Sequence, residues 1–169
     1  MQPVQPMPPI QPPQPAPVQY AGFWRRFVAY LIDSIIVSIV SWIVFIPILA
    51  ALGIGIGLSG MEEQEAAGFI LAPLIGYILF LGLVLAVAEW LYFALMESSN
   101  RMATLGKMAI GIKVTDLSGN RISFGRATGR YFGKILSGMI FMIGYIMAGF
   151  TEKKQALHDM IASCLVVMK

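Results

Sequence analysis

Two long apolar stretches constrain this chain more than any other feature of its sequence. They cover residues 26–58 and 69–96, and each exceeds the roughly 20 residues that a helix needs to cross a bilayer. Hydrophobic residues make up 57% of the chain and charged residues only 12%, whereas about a quarter of the residues in a soluble domain are charged. The sequence therefore predicts a predominantly α-helical integral membrane protein with two transmembrane helices.

A third apolar segment, residues 131–150, is compatible with two membrane arrangements. It can cross the bilayer as a third transmembrane helix. It can instead be a re-entrant helical segment that turns near Gly138 or Gly144 and returns to its side of origin. A backbone turn at membrane depth must be covered by protein, so the second arrangement requires contacts with other helices.

The polar connection before this third segment predicts a small cytoplasmic β-hairpin at residues 110–124. Apolar and polar residues alternate there, and turn-forming residues occupy Asp116–Asn120. The last apolar run, residues 164–168, predicts a C-terminal strand, which a re-entrant third segment would allow to pair with Ile112–Val114. The membrane domain expected from the sequence spans residues 20–169.

Residues 1–19 differ in composition from the rest of the chain, with eight prolines, five glutamines and no charged side chain. Proline removes backbone donors and clashes with the preceding helical turn, so the sequence predicts a disordered cytoplasmic arm. The arm can be a simple tether or a ligand for a protein partner.

The basic residues predict the orientation of the chain. The loop between the first two spans contains Glu62, Glu63 and Glu65, whereas all twelve lysines and arginines lie elsewhere. Cytoplasmic segments of membrane proteins are enriched in these residues. We therefore expect a multi-pass protein of the cell membrane with a cytoplasmic N-terminus, and the re-entrant arrangement would put all twelve on that side.

Two carboxylates lie inside the predicted spans. Asp33 shares a helix face with Arg26, and Glu89 lies about two turns from the end of the second span. A carboxylate at membrane depth costs about 2.5–3.5 kcal/mol by insertion scales, so each should face protein or trapped water. Each can pair with a cation to fix helix packing, or bind a proton or small cation.

Residues 125–137 carry two ridges at four-residue spacing. The first predicts close helix packing and consists of Gly125, Gly129 and Gly133, followed by a serine. The second, with Arg25, predicts contact with anionic lipid headgroups and consists of Arg126, Arg130 and Lys134. Alternatively, Arg126 or Arg130 neutralises Asp33 or Glu97.

The rarity of chemically versatile residues argues against several classes of function. One cysteine and one histidine leave no basis for a disulfide or a metal site, and we expect no cofactor. Because no nucleophile–base arrangement is present, we expect the protein not to be an enzyme. Nucleic-acid binding is also disfavoured, since the basic residues lie next to the expected membrane surface.

Three separated motifs resemble the RDD family of small bacterial membrane proteins over about residues 20–168. They are YAGFWRRFVAYLID, ALMESSNRMATLGKMAIGIKVTDLSGNRISFGRATGR and TEKKQALHDMIASCLVV. The family is named for one arginine and two aspartates, which match Arg26, Asp33 and Asp159. The resemblance implies a charged cluster of these residues at the cytoplasmic end of the bundle. It also implies a role related to transport, since some members are associated with cation/proton antiport.

Two hypotheses of function follow. The first is cation/proton exchange through a charged cluster that includes Asp33; because two or three spans cannot enclose a pathway alone, it requires a homo-oligomer. The alternative is a non-enzymatic membrane adaptor or assembly protein that uses the proline-rich arm and the cytoplasmic hairpin.

Overall fold

A computed structural model of the chain describes residues 18–58, 63–140 and 143–169, so most of the predicted arm lies outside the described residues. The helices are α1 (Phe23–Leu58), α2 (Glu63–Glu97), α3 (Leu105–Ile110), α4 (Phe124–Met139), α5 (Ile143–Phe150) and α6 (Leu157–Ile161). The strands are β1 (Ile112–Asp116) and β2 (Cys164–Met168).

Helices α1 and α2 contain the two segments that are long and apolar enough to cross a membrane. These segments are Phe23–Ile48, with 26 residues, and Leu74–Glu97, with 24 residues. At 1.5 Å of rise per residue they extend for about 39 and 36 Å, more than the thickness of a bilayer's hydrocarbon core. The predicted helical membrane fold is thus confirmed.

The third apolar segment forms a bent pair of helices. The axes of α4 and α5 meet at 103°. Tyr145 donates a hydrogen bond from its hydroxyl to the carbonyl oxygen of Lys134 over 2.9 Å. A Cβ added to Gly144 would lie 2.8 Å from the Cβ of Ser137, so only glycine permits this approach. Helix α5 therefore folds back onto α4.

The two strands join three distant parts of the chain at one end of the α1–α2 pair. Strand β1 pairs with β2 in antiparallel register, from Ile112 opposite Met168 to Asp116 opposite Cys164. On the other side of β2, Tyr20 forms a bridge with Val167. The start of α1, the α2–α4 connection and the C-terminal tail consequently lie together.

One part of the predicted hairpin is wrong: the chain after the turn does not return as a strand. The turn itself forms, because the carboxylate of Asp116 accepts the backbone N–H groups of Ser118 and Asn120 at 2.9 and 2.8 Å. Ser123 then accepts the N–H of Arg126 at 3.3 Å and caps α4, which starts at the next residue. The partner of β1 is instead β2, whose apolar residues cover the core.

The hydrophobic core lies between the sheet and the helix ends beside it. Alternate residues of both strands enter it, namely Ile112 and Val114 from β1 and Cys164 and Val166 from β2. Small residues of the long helices, including Ala29, complete the cluster. The sheet is therefore packed onto the ends of the spans.

Short helix α3 is docked against α1 through a glycine. A Cβ added to Gly106 would lie 2.1 Å from the carbonyl oxygen of Ala29 and 2.9 Å from Cγ of Asp33. The first is a backbone atom of α1, which cannot move without displacing that helix. The close approach of the two helices thus requires glycine at position 106.

We predict that Gly106→Ala lowers the free energy of unfolding by about 1–3 kcal/mol, because the added methyl overpacks the contact with α1. The matched control is Gly129→Ala in α4, where a Cβ meets nothing within 4 Å. This control should raise stability by about 0.5–1 kcal/mol, as alanine favours a helix. Thermal unfolding in one detergent measures both, and equal melting temperatures would contradict the tight contact.

Candidate functional site

The candidate site is a buried network of charged side chains at the end of the spans that carries the sheet. We call it the ion-pair network, and it draws on five helices, α1, α2, α3, α4 and α6. Its members are Arg26, Glu97, Lys107, Arg130, Lys134 and Asp159. It contains four basic and two acidic side chains, so the basic groups outnumber the acidic ones.

Arg130 of α4 connects the two carboxylates of the network. Its Nη1 donates to Oε2 of Glu97 at 2.6 Å, and its Nε donates to Oδ1 of Asp159 at 2.7 Å. The Arg130 side chain is only 2% exposed, and both carboxylates are equally inaccessible to solvent. One guanidinium thus ties α4 to the end of α2 and to α6.

Asp159 receives a second cation from the start of α1. Arg26 donates to its carboxylate through Nη1 and also donates to the carbonyl oxygens of Ala21 and Lys154. The same carboxylate accepts the backbone N–H of Ala156 at 3.1 Å, which fixes the start of α6. Asp159 therefore joins α1, α4 and α6.

Glu97 receives two lysines in addition to Arg130. Lys107 of α3 donates to Oε1, and the ammonium of Lys134 lies 3.9 Å from the same oxygen. The Lys134 ammonium also lies 4.0 Å from the centre of the Phe93 ring, where a cation–π interaction stabilises it. Three cations converge on this single carboxylate.

Asp33 lies in a different environment, where its partners are neutral. Its Oδ1 accepts the hydroxyl of Tyr92 and the backbone N–H of Gly106, both at 2.8 Å. Its Oδ2 accepts the hydroxyl of Thr104. Within the described residues no cation forms an ion pair with Asp33. The carboxylate acts as a staple between α1, α2 and the first turn of α3.

The three charged residues singled out by the sequence are thus divided between two adjacent sets of contacts. Arg26 pairs with Asp159, while Asp33 binds the start of α3. The sequence left open whether Arg126 or Arg130 neutralises Asp33 or Glu97, and the structure places Arg130 against Glu97. Arg126 lies at the surface.

The other predicted site residues are distributed around the network. Glu89 is half-buried in α2 and has no ion pair with any residue that the structure describes. Arg25 is exposed beside the start of the sheet, where its guanidinium touches the sulfur of Met168. Of the three ridge glycines, Gly133 packs against His158, with 3.1 Å separating its added Cβ from the histidine Cβ. Open space surrounds the other two, Gly125 and Gly129.

Sequence reasoning missed several partners at the site. It missed that Lys107 pairs with Glu97 and that Tyr92 donates a hydrogen bond to Asp33. Each contact joins two separate elements, so no local sequence pattern predicts it. One signal was available at Thr104, since threonine is a typical residue at the position just before a helix. That position is the N-cap of α3, although its hydroxyl binds Asp33 instead of its own helix.

Burial and neighbouring charges change the pKa values of groups outside the spans. Burial would raise the pKa of Asp159, but Arg130 and Arg26 outweigh it and hold that pKa well below its usual range. Burial lowers the pKa of Lys107 despite the opposing effect of Glu97. For His158, burial lowers the pKa to about 3 against the attraction of Asp159, so the imidazole is neutral at physiological pH.

The arrangement favours rigid coupling of elements over covalent chemistry. Burial raises the pKa of the Cys164 thiol to about 11, so little thiolate is available for nucleophilic attack. Across residues 18–58, 63–140 and 143–169, no group of three His, Cys, Asp or Glu side chains is placed to hold a metal ion. The charged groups bind each other.

Comparison with known proteins covers the part of the chain that contains this network. The model of the RDD family matches residues 20–163, which include every member of the ion-pair network. The chain belongs to the RDD family. The uncharacterized protein YxaI of Bacillus subtilis strain 168 is 42% identical over 151 residues, which cover 88% of this RDD protein and 97% of YxaI. The uncharacterized membrane protein YteJ of the same strain is 34% identical over 167 residues, which cover 94% of this chain and 88% of YteJ. No solved structure matches the chain.

We predict that Glu97→Gln lowers the free energy of unfolding by about 3–5 kcal/mol, because it leaves buried cations without their counter-ion. The matched control is Glu89→Gln in the same helix, where the described residues supply no cation to lose. Chemical unfolding in detergent measures both variants. Similar losses for the two would contradict an energetic role for the network.

We also predict that stability falls as pH drops from about 6.5 to 4.5. The pKa of His158 is about 3 in the folded chain, against 6.5 for an ordinary histidine, so the unfolded chain takes up the proton first. The contribution of His158 to the free energy of unfolding is therefore complete above about pH 6.5. Below that pH it decreases by up to about 1.4 kcal/mol per pH unit. His158→Gln should remove this slope, and an unchanged slope in the variant would contradict the assignment.

Proposed function

We propose that this RDD protein is a non-enzymatic membrane adaptor that holds a rigid platform at the cytoplasmic surface of the membrane and presents its N-terminal arm to a protein partner. One observation carries the proposal: the last residue of the arm and the chain just after it are hydrogen-bonded to the sheet. The carbonyl oxygen of Gln19 accepts the N–H of Met168 at 2.9 Å, and the N–H of Ala21 donates to Val166 at 2.8 Å. The arm therefore leaves the domain from a fixed point.

The state of the carboxylates supports an adaptor more than a carrier. The two acids of the network are neutralised by arginine and lysine side chains, and Asp33 is 1% exposed with three hydrogen-bond donors. A buried and fully bonded acid stabilises a packed structure, whereas a solute site needs groups that the solute can reach. The network thus serves to connect elements.

The contacts also support an even number of membrane crossings. Tyr20 bridges β2 directly, and α1 and α2 each contain one segment that is long and apolar enough to cross a membrane. If the α4–α5 pair re-enters and returns, the N-terminus and the C-terminus share one side. The positive-inside bias assigns that side to the cytoplasm, because all twelve basic residues then lie on it.

This topology predicts the labelling of single added cysteines by a membrane-impermeant maleimide in intact cells. A cysteine in place of Ser59, in the acidic loop, should be labelled, and a cysteine added after Lys169 should react only after the cells are permeabilised. The unmodified chain gives the background, since Cys164 is buried. Labelling of the added C-terminal cysteine in intact cells would exclude the re-entrant arrangement.

In-cell crosslinking with quantitative mass spectrometry tests the adaptor proposal. Removal of residues 1–17 should reduce recovery of specific crosslinked proteins at least tenfold, with the membrane level of the protein unchanged. A matched variant replaces these residues with a glycine–serine linker of the same length, which keeps a tether but removes the proline-rich ligand. If the linker variant recovers the same proteins as the wild type, the arm does not recruit them.

A second candidate, cation/proton exchange in a homo-oligomer, has its own supporting observation. Asp33 lies within a membrane-spanning segment and is bonded to the hydroxyls of Tyr92 and Thr104, which can pass protons. In everted vesicles, a pH-sensitive dye would report dissipation of a proton gradient on addition of sodium, potassium or lithium. A response lost in Asp33→Asn at equal protein level would favour the carrier over the adaptor.

A further inference from the structure

A groove of about 690 Å³ lies between the start of α1 and the end of α5. Two cationic residues line it, Arg25 from α1 and Lys154 from the loop after α5. Among the described residues that line this groove, none is acidic. The groove is thus a positively charged recess on the surface of a membrane protein.

The two cations are available to a ligand because neither belongs to the ion-pair network. Arg25 is exposed, and its guanidinium touches only the neutral sulfur of Met168. The ammonium of Lys154 donates one hydrogen bond, to the carbonyl oxygen of Gly149 at 2.8 Å, and retains two further N–H donors. No carboxylate of the described chain forms an ion pair with either residue.

The backbone of Lys154 is held in an unusual conformation that points to a function. Its φ is +48°, in the left-handed region that residues with a side chain rarely adopt. Two hydrogen bonds maintain it: Arg26 donates to its carbonyl oxygen, and its N–H donates to Thr151 at 3.0 Å. Strained conformations of this kind persist where surrounding structure fixes them, and they concentrate at binding sites. The network therefore positions Lys154 at the groove.

The remaining walls of the groove are apolar and aromatic. Phe23 and Trp24 line it from α1, and Ile146 and Phe150 line it from α5. Trp24 is 73% exposed and Phe150 is 85% exposed, which is unfavourable in water but typical of side chains at a membrane interface. The groove thus combines two cationic side chains with an apolar surface that a hydrocarbon chain can contact.

We infer that this groove binds an anionic phospholipid of the surrounding membrane. Arg25 and Lys154 bind its phosphate by charge-assisted hydrogen bonds, and one acyl chain lies against Phe23, Trp24 and Phe150. A lipid fits both halves of the groove, whereas a free phosphate ion would use only the cations. This inference uses residues that follow the arm in the sequence and does not depend on the adaptor proposal.

Native mass spectrometry of the full chain in a neutral detergent tests the site. The probes are phosphatidylglycerol, phosphatidylcholine with the same acyl chains, and inorganic phosphate. The wild type should bind the first phosphatidylglycerol at least tenfold more tightly than phosphatidylcholine. Inorganic phosphate at millimolar concentration should not displace it. Displacement by inorganic phosphate, or equal affinity for the two lipids, would overturn the proposal.

Charge variants locate the binding at this groove. The double variant R25Q/K154Q should lose the preference for phosphatidylglycerol, whereas R25K/K154R should keep it. The matched control R101Q/K153Q removes two exposed charges at the same end of the protein but outside the groove, and it should behave as the wild type. If R25Q/K154Q keeps the preference, the lipid binds elsewhere. If the double variant does not fold, Arg25→Gln alone, at an exposed position, provides the same comparison.

Discussion

The Arg130 guanidinium, buried between two carboxylates, is the interaction on which the organisation of this domain depends. Removing a charge from water costs several kcal/mol, and only close opposite charges with good geometry offset that cost. Glu97 and Asp159 supply these charges from different places, the end of α2 and the short helix α6. Arg130 can therefore be buried only when both elements have reached their places. The ion pairs thus specify one arrangement of α2, α4 and α6. An apolar core of equal volume could be as stable but would not select that arrangement.

Asp33 performs the same task for α3 without a cation. A helix of six residues is too short to be stable by itself, because nucleation costs more than its few hydrogen bonds return. Asp33 accepts the N–H of Gly106 and the hydroxyl of Thr104 at the start of α3, so the first turn is completed by a residue of α1. Once α3 is docked, Lys107 reaches Glu97 and joins the ion-pair network. The hydrogen bonds of Asp33 and the ion-pair network are therefore linked through the first turn of α3.

The sequence was most informative where a pattern is local and least informative where a contact is distant. Span length and apolarity predicted α1 and α2, and the final apolar run predicted β2, because each signal lies within one segment. The return strand of the hairpin was mispredicted, since a β-pattern near Ile112 does not choose between two partners, residues 122–124 and the tail strand that the sequence also offered. The serine cap at Ser123 and the tail strand decided that. Likewise, the sequence marked Asp33 as an acid in need of partners and left Arg130 with two alternatives, lipid headgroups or a carboxylate. Only the fold could select neutral donors for Asp33 and carboxylates for Arg130.

The position of Asp33 makes the two candidate functions physically distinguishable. In a carrier cycle the transported solute would have to reach Asp33, which is 1% exposed and accepts hydrogen bonds from Tyr92, Thr104 and Gly106. Losing these hydrogen bonds would loosen α3 from α1, and Glu97 would lose Lys107, one of the three basic side chains around it. Access of a solute to Asp33 would therefore disturb both the contact between α3 and α1 and the pairing of Lys107 with Glu97. An adaptor requires none of these changes, since its platform must keep one shape. The free energy needed to move α3 away from α1 thus distinguishes the carrier from the adaptor, and a rigidly held α3 favours the adaptor.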